Sequence, residues 1–257
     1  MSDGLQGRVA LVTGGGRGAG KGISLALAED GADVAVNYRK DREAAEETVA
    51  EIEKLGRQAL AVQASVDDNA QNEAMVEAVL GEFGFVDILV NNAGIASRGN
   101  SVGDTDPAEL ERVVRTHALG PHRLCQLVLP SMRERERGDI VMISSIVTDN
   151  YGPNGAPYGM GKAAMEALAF TLAKEERPNN IHVNVVAPGL LYTEMGRRLV
   201  KAGGVDDIDT LDRHSPFGRV CRPEDVANVV RYLVSEGASY VTGERIRVHG
   251  GGQIAVR

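Results

Sequence analysis

A doubly wound α/β fold, one parallel sheet of seven strands with helices on both faces, is what this sequence predicts, and two observations predict it. Apolar runs of four to six residues alternate with longer amphipathic stretches from end to end, which is how buried parallel strands joined by crossover helices read. The first run leads straight into a glycine-rich turn and then a helix. No repeat, low-complexity tract or linker divides the 257 residues, a length that one well-buried α/β domain accommodates. The whole of 1–257 is read as a single domain.

The predicted strands are Arg8–Thr13, Asp33–Tyr38, Gln58–Gln63, Val86–Val90, Asp139–Ser144, His182–Val186 and Arg245–Val248. The clearest predicted helices are Gly18–Asp30, Asp41–Leu55, Asn69–Phe83, Pro107–Arg135, Pro157–Glu176 and Pro223–Ser235. A net charge of −8 disfavours nucleic acid and acidic membrane surfaces as partners. The first residues lack a basic segment followed by an apolar run, and no stretch of about 20 apolar residues occurs, so a cytoplasmic protein without a membrane anchor is expected. Cys125 and Cys221 fit no metal-ligand spacing; no metal site is predicted.

Between the first strand and first helix lies Thr13-Gly14-Gly15-Gly16-Arg17-Gly18-Ala19-Gly20. Glycines there let the backbone approach a pyrophosphate, whose charge is met by free N–H groups and the positive end of the helix dipole. The stretch fits G-x-G-x-x-A through Gly14, Gly16 and Ala19, and T-G-x-x-x-G-x-G equally well. It reads as a dinucleotide site of a Rossmann fold.

Cofactor choice is written at the tip of the second strand, where an acidic side chain binds a ribose 2′-hydroxyl and an arginine accepts a 2′-phosphate. The residues there are Asn37-Tyr38-Arg39-Lys40. Arg39, joined by Arg17, offers forked donors suited to phosphate, so NADP(H) is expected over NAD(H); the plainer reading leaves both arginines as solvated surface. At the end of the fourth strand, Asn91-Asn92-Ala93-Gly94 supplies the small residues and amides that a site at the topological switch point requires.

Tyr158 and Lys162, four apart on a predicted helix, share one face about a turn apart. A tyrosine that passes a proton near neutral pH needs its pKa, about 10 in isolation, brought down, and a nearby cation does that.

With Thr13-Gly14-x-x-x-Gly18-x-Gly20, Asn91-Asn92-Ala93-Gly94, Ser145 thirteen residues before Tyr158, Tyr158-x-x-x-Lys162 and Pro188-Gly189 followed by Thr193, the sequence resembles the short-chain dehydrogenase/reductase family over nearly its whole length. The resemblance implies that Tyr158 is acid in reduction and base in oxidation. It implies that Lys162 lowers the tyrosine's pKa and binds the nicotinamide ribose, and that Ser145, selected over Ser144 by the spacing, hydrogen-bonds the substrate oxygen. Pro188 and Gly189 would line the nicotinamide pocket, with Thr193 near the carboxamide or pyrophosphate.

Three positions depart from the family's pattern. His117 stands where an asparagine usually bends the helix and holds a water of the proton relay. One reading makes the imidazole itself a relay, with activity unusually sensitive to pH; the other leaves it packed or bonded to backbone. Ser65-Val66 replaces an acidic and an apolar residue that hold the adenine, and His249 replaces a common acidic residue near the C-terminus. Residues 193–222 form the longest part without assigned structure, either a substrate-closing loop or a surface helix pair.

The function expected is an NADP(H)-dependent interconversion of a ketone or aldehyde and an alcohol on a small-molecule substrate. One variant is a 3-oxoacyl-thioester reductase acting on an acidic carrier protein, whose dock would use Arg133, Arg135 and Arg137, interrupted by Glu134 and Glu136. A different class is a dinucleotide-binding sensor or scaffold without turnover. Apolar Leu124, Leu127, Val128, Ala163, Ala164 and Ala167 spread over more than one face of two long helices, and with the resemblance they imply a homotetramer.

Overall fold

The computed structural model describes residues 4–252. Seven parallel strands stand in the order β3-β2-β1-β4-β5-β6-β7: β1 (Val9–Val12), β2 (Asp33–Tyr38), β3 (Ala59–Gln63), β4 (Ile88–Asn91), β5 (Gly138–Ile143), β6 (Ile181–Pro188) and β7 (Arg245–Val248). Each predicted strand is present, with ends shifted by a residue or two, and the doubly wound sheet is the one expected.

Burial on both faces explains why the strands read as continuous apolar runs. Along β1, Ala10 and Val12 enter one core while Leu11 enters the other; β4 divides the same way, Ile88 and Val90 against Leu89. One face is covered by α1 (Gly18–Glu29), α2 (Arg42–Lys54) and α9 (Pro223–Val234), the other by α3 (Asn69–Phe83), α5 (Gly120–Met132) and α7 (Ala156–Glu175). β1 pairs with β2 on one side and β4 on the other. The winding reverses there, so a crevice opens at the carboxyl ends of β1 and β4.

The predicted helix Pro107–Arg135 is corrected in its middle. α4 (Pro107–Val114) runs into a π-turn, Arg115–Leu119, before α5 continues to Met132. Pro121 is the physical cause: it has no N–H to give, and its ring crowds the carbonyl four residues back, that of His117. Widening the turn relieves the clash, and the Gly120 N–H reaches back five residues to the Arg115 carbonyl. Gly120 also lies so close to β3's exit that a Cβ there would meet the Val66 carbonyl at 2.1 Å.

Residues 193–222, unassigned from sequence, contain α8 (Glu194–Ala202) and short 3₁₀ turns at Ile208–His214 and Pro216–Gly218. They carry a small core of their own, Val200, Ile208, Leu211 and Val220. A further short helix, α6 (Val147–Asn150), follows β5. Of the residues read as an oligomer face, Leu124 and Val128 are buried in the chain's own core, while Ala164 and Ala167 lie exposed on α7 beside Met160. Among the described residues no helix is long and apolar enough to cross a membrane.

Candidate active site

The glycine turn is pinned from both neighbouring strands. Thr13 Oγ1 accepts the N–H groups of Asn92 and Ala93, each at 2.9 Å, and Asn92 Nδ2 donates to the Thr13 carbonyl at 2.8 Å. From β2, buried Asn37 accepts the Gly14 N–H at 3.1 Å and is itself fixed by donating to the carbonyls of Val62 and Ala64. The Gly14 N–H is thus already used, and the groups free for an anion lie further on, where α1 begins at Gly18 with no side-chain cap. Space requires the glycines: a Cβ at Gly20 would stand 2.0 Å from the Gly14 carbonyl, one at Gly16 2.8 Å from Ala45 Cα, and Gly18 holds φ at +54°. This narrow, uncapped backbone cradle fits a dinucleotide pyrophosphate, and Gly14, Gly16, Arg17, Gly18, Ala19 and Gly20 would hold it.

The flanking predicted residues fall around the same crevice. Thr193, the N-cap of α8 through its acceptance of the Gly196 N–H, packs against Gly18. The Arg17 side chain is 71% exposed and lies 3.8 Å from Asp41; Arg39 is exposed at the tip of β2. The Ser65 hydroxyl donates to the Asp67 carboxylate. An acidic group thus stands beside the predicted adenine position, two residues later than the family pattern has it. Val66 is buried, and its carbonyl accepts from Asn72 Nδ2.

Ser145, Tyr158 and Lys162 converge beyond the end of β5. Tyr158 is half-buried on α7, its phenol facing the Ser145 side chain. The Lys162 ammonium sits 5.7 Å from the Tyr158 ring centroid and donates to the Ile143 carbonyl, the last residue of β5, at 2.6 Å. Burial pushes the lysine down to about 7, against the pull of the Glu166 charge. Tyr158 corrects the sequence expectation: its burial raises the phenol above its ordinary value, and the Ser145 bond offsets only part of that. In this arrangement the tyrosine is held as a neutral acid.

His117 lies in the π-turn, buried, with its ring edge-on to Tyr158 at 5.0 Å between centroids. Nε2 lies 2.8 Å from the Ile95 carbonyl and 3.3 Å from the Ile95 N–H; the shorter contact, to a group that can only accept, puts the proton on Nε2 and leaves Nδ1 a lone-pair acceptor without a partner among the described residues. Glycines make the room: a Cβ at Gly94 would be 2.7 Å from Cε1, and one at Gly161 2.9 Å from Cβ of the histidine. Gly94 thus serves the histidine's seat as well as the crevice. Burial, then the Lys162 charge, pulls His117 down to about 3. The expected pH sensitivity of this residue is therefore corrected: it stays neutral throughout the physiological range.

Pro188 ends β6, and the Gly189 N–H donates to the Val248 carbonyl. A Cβ at Gly189 would lie 3.1 Å from His249 Cβ and 3.7 Å from Ile146 Cδ1, so glycine keeps the passage beside Ser145 open. A cavity of about 760 Å³ continues from there, lined by Ile146, Leu190, Leu199, Phe217 and His249 among others. Tyr158 and Ser145 do not line it; their neighbours Ile146 and Gly189 do. Phe217 is 90% exposed and in the left-handed region at φ 57°. Sequence reasoning missed Asn37, Ile143, Glu166 and Arg245 as parts of the site. A buried amide in β2 and an acid one turn beyond Lys162 were the available signals.

A protein-family model described as enoyl-(acyl carrier protein) reductase matches residues 14–253. A 3-oxoacyl-[acyl-carrier-protein] reductase of Staphylococcus epidermidis is 38% identical over 243 residues, covering 94% of this chain and 97% of its own. Among solved structures, a short-chain dehydrogenase from Burkholderia cenocepacia in complex with NADP is 34% identical with a TM-score of 0.87, covering 96% of this chain and 98% of that one. A 7α-hydroxysteroid dehydrogenase complexed with NADH and 7-oxo glycochenodeoxycholic acid is 33% identical with a TM-score of 0.89, over 99% and 98% of the two chains.

The lysine's burial has a thermodynamic consequence. Its proton leaves near pH 7 in the folded protein and near 10.5 in the unfolded chain, so the unfolded chain binds more protons across that window and rising pH favours the fold. Relative to Lys162→Met, the wild type is expected to gain unfolding free energy from pH 7 to pH 10 in urea titrations. A difference that stays flat or falls contradicts the assignment.

Proposed function

The chain belongs to the short-chain dehydrogenase/reductase family, whose members are NAD(P)-dependent oxidoreductases, and from that premise we propose that it interconverts a ketone or aldehyde and its alcohol with NADP(H). The carrying observation is the convergence of Ser145, Tyr158 and Lys162 beside a glycine cradle sized for a pyrophosphate. A bound nicotinamide supplies or accepts the hydride. Tyr158 gives its phenolic proton to the carbonyl oxygen as the alcohol forms and takes it back in oxidation, while the Ser145 hydroxyl hydrogen-bonds the same oxygen and orients it. Lys162, as an ammonium, stabilises the phenolate left behind. Arg17 and Arg39 supply the forked donors for a 2′-phosphate; Pro188, Gly189 and Thr193 border the nicotinamide end, and Ser65 with Val66 the adenine end.

A neutral buried His117 acts in this reading through its Nδ1 lone pair. It takes the place of the relay asparagine by accepting from a water or from Lys162, without itself changing charge. The cavity beyond Gly189 is lined by Ile146, Leu190, Leu199, Val200 and Phe217 with Arg219, Asp225 and Arg247 among its charged members, which favours a substrate with a hydrocarbon body and a polar end. The arginines that a carrier-protein dock would use are committed elsewhere, Arg133 to Glu176, Arg135 to Asp87 and Arg137 to Asp139, which favours free ketones over carrier thioesters. The same reading includes a homotetramer, with the exposed Met160, Ala164 and Ala167 of α7 in the contact.

Purified protein with a panel of ketones is expected to oxidise NADPH in preference to NADH, and Tyr158→Phe to lower kcat by about 10²–10⁴-fold with NADPH binding retained. Tight NADPH binding without turnover of any ketone would support a sensor and overturn the enzyme reading. His117→Asn is expected to keep kcat within a few-fold and an unchanged pH profile, whereas His117→Ala loses about 10-fold or more; equal rates for wild type and the alanine variant would remove His117 from the relay. Light scattering is expected to give four times the chain mass, and a monomer mass refutes the assembly.

A further inference from the structure

Behind Ser145 and Lys162 lies a polar cluster that the mechanism above does not use. Glu166 sits one helical turn past Lys162 on the same face of α7 and is buried. Its Oε1 accepts three donors from three elements: Ser144 Oγ at 2.5 Å, Thr148 Oγ1 at 2.8 Å and Arg245 Nε of β7 at 2.9 Å. Arg245 then grips the segment that carries Ser145. It donates to the Ser145 carbonyl at 3.1 Å, to Thr148 Oγ1 at 2.7 Å and to Asp149 Oδ1 at 2.9 Å. Asp149 is closed from outside by Arg247.

A carboxylate this deep is costly unless paired, and a single ion pair with Arg245 would satisfy it. Here one oxygen instead collects two hydroxyls flanking Ser145 as well, and its charge falls on the lysine one turn back. We propose that Glu166 and Arg245 are positioning residues of the active site: Glu166 is the fixed counter-charge that keeps Lys162 an ammonium, and Arg245, braced on Glu166, sets the strand end that aims Ser145. This rests on the oxidoreductase reading given above.

The charged and titratable groups around Lys162 make the direction definite. Tyr158 and Glu166 face it from α7 and His117 from the π-turn, while Arg245 of β7 and Asp149 of α6 stand behind Glu166. The Glu166 charge favours the lysine's protonated form. Removing it also leaves the Arg245 guanidinium less neutralised, and both changes favour the neutral amine.

The test uses the full-length protein with NADPH and a ketone that the wild type reduces. In Glu166→Gln, kcat is expected to fall, and the high-pH limb of the kcat profile to move down by about one pH unit. The Lys162 side-chain resonance in ¹⁵N-lysine-labelled protein is expected to titrate at correspondingly lower pH. In Arg245→Lys, which cannot span Glu166 and the Ser145 carbonyl as a fork does, kcat is expected to fall about 10-fold with KM for NADPH within about threefold of wild type. Unchanged NADPH affinity certifies that either variant is folded. A kcat and pH limb indistinguishable from wild type in Glu166→Gln overturn the proposal, and so does a lower kcat with an unmoved limb and unmoved lysine titration, which marks a merely structural residue. Failure of the wild type to reduce any ketone strikes the oxidoreductase reading instead, and the lysine titration still decides whether Glu166 holds the charge.

Discussion

A buried ammonium, that of Lys162, is the constraint around which the site is arranged. Removing such a group from water costs several kcal/mol unless the protein supplies partners. The partner shown is the Ile143 carbonyl at the very end of β5. That one bond fixes α7 against the sheet's carboxyl edge and so fixes where Tyr158, one turn earlier on the same face, presents its ring. It also ties the lysine to the strand whose next two residues are Ser144 and Ser145. Position is therefore set by one contact, and the small residues nearby, Gly94 and Gly161, follow from the need to bring a histidine ring into the same volume.

The π-turn shows how local irregularity serves that volume. A regular helix through Arg115–Leu119 would place each side chain 100° from the last; one wide turn shifts everything beyond it. Pro121 and Gly120 enforce the shift, the first by lacking an N–H and crowding the preceding turn, the second by fitting under the Val66 carbonyl. The outcome is an imidazole bonded by Nε2 to the Ile95 backbone and edge-on to Tyr158, with Nδ1 unpaired among the described residues. An unpaired buried nitrogen is a cost that a core would avoid. In the relay proposed above this nitrogen would be the bridging acceptor, and single-turn π-bulges concentrate at functional sites.

The sheet and its order were legible because parallel strands buried on both faces leave unbroken apolar runs, and those runs survive in β1, β2, β4, β5 and β6. The glycine cradle and the Tyr158–Lys162 pair were legible because backbone clearance and helical spacing each act over a few residues. What was not legible depends on contacts between distant segments. Asn37 reads as a strand residue until Gly14 is seen to lean on it, and Glu166 reads as a polar residue on an ordinary helix until β7 brings Arg245 against it. The direction of the tyrosine's pKa failed for a related reason: the sequence gives the lysine's spacing but not how far the phenol is withdrawn from water, and that desolvation outweighs the Ser145 contact. Pro121, by contrast, was a readable warning of the helix irregularity, since a proline interior to a predicted helix has only a few structural outcomes.

The opposite end of the sheet explains how the chain tolerates unpaired groups at the carboxyl edge. At the amino ends of β4 and β5, buried Asp87 and Asp139 are enclosed by arginines: Arg135 reaches Asp87, while Arg8 and Arg137 both reach Asp139. Asp87 also accepts the Val9 N–H at 2.8 Å. Such a network is weak evidence of net stability, but each member is costly to remove alone, so it locks the register of the strands at the end away from the chemistry. With register settled there, the carboxyl ends need not be optimised for packing. They can hold a lysine at the edge of neutrality and an unpaired imidazole nitrogen, and the same strands carry a stable end and a reactive one.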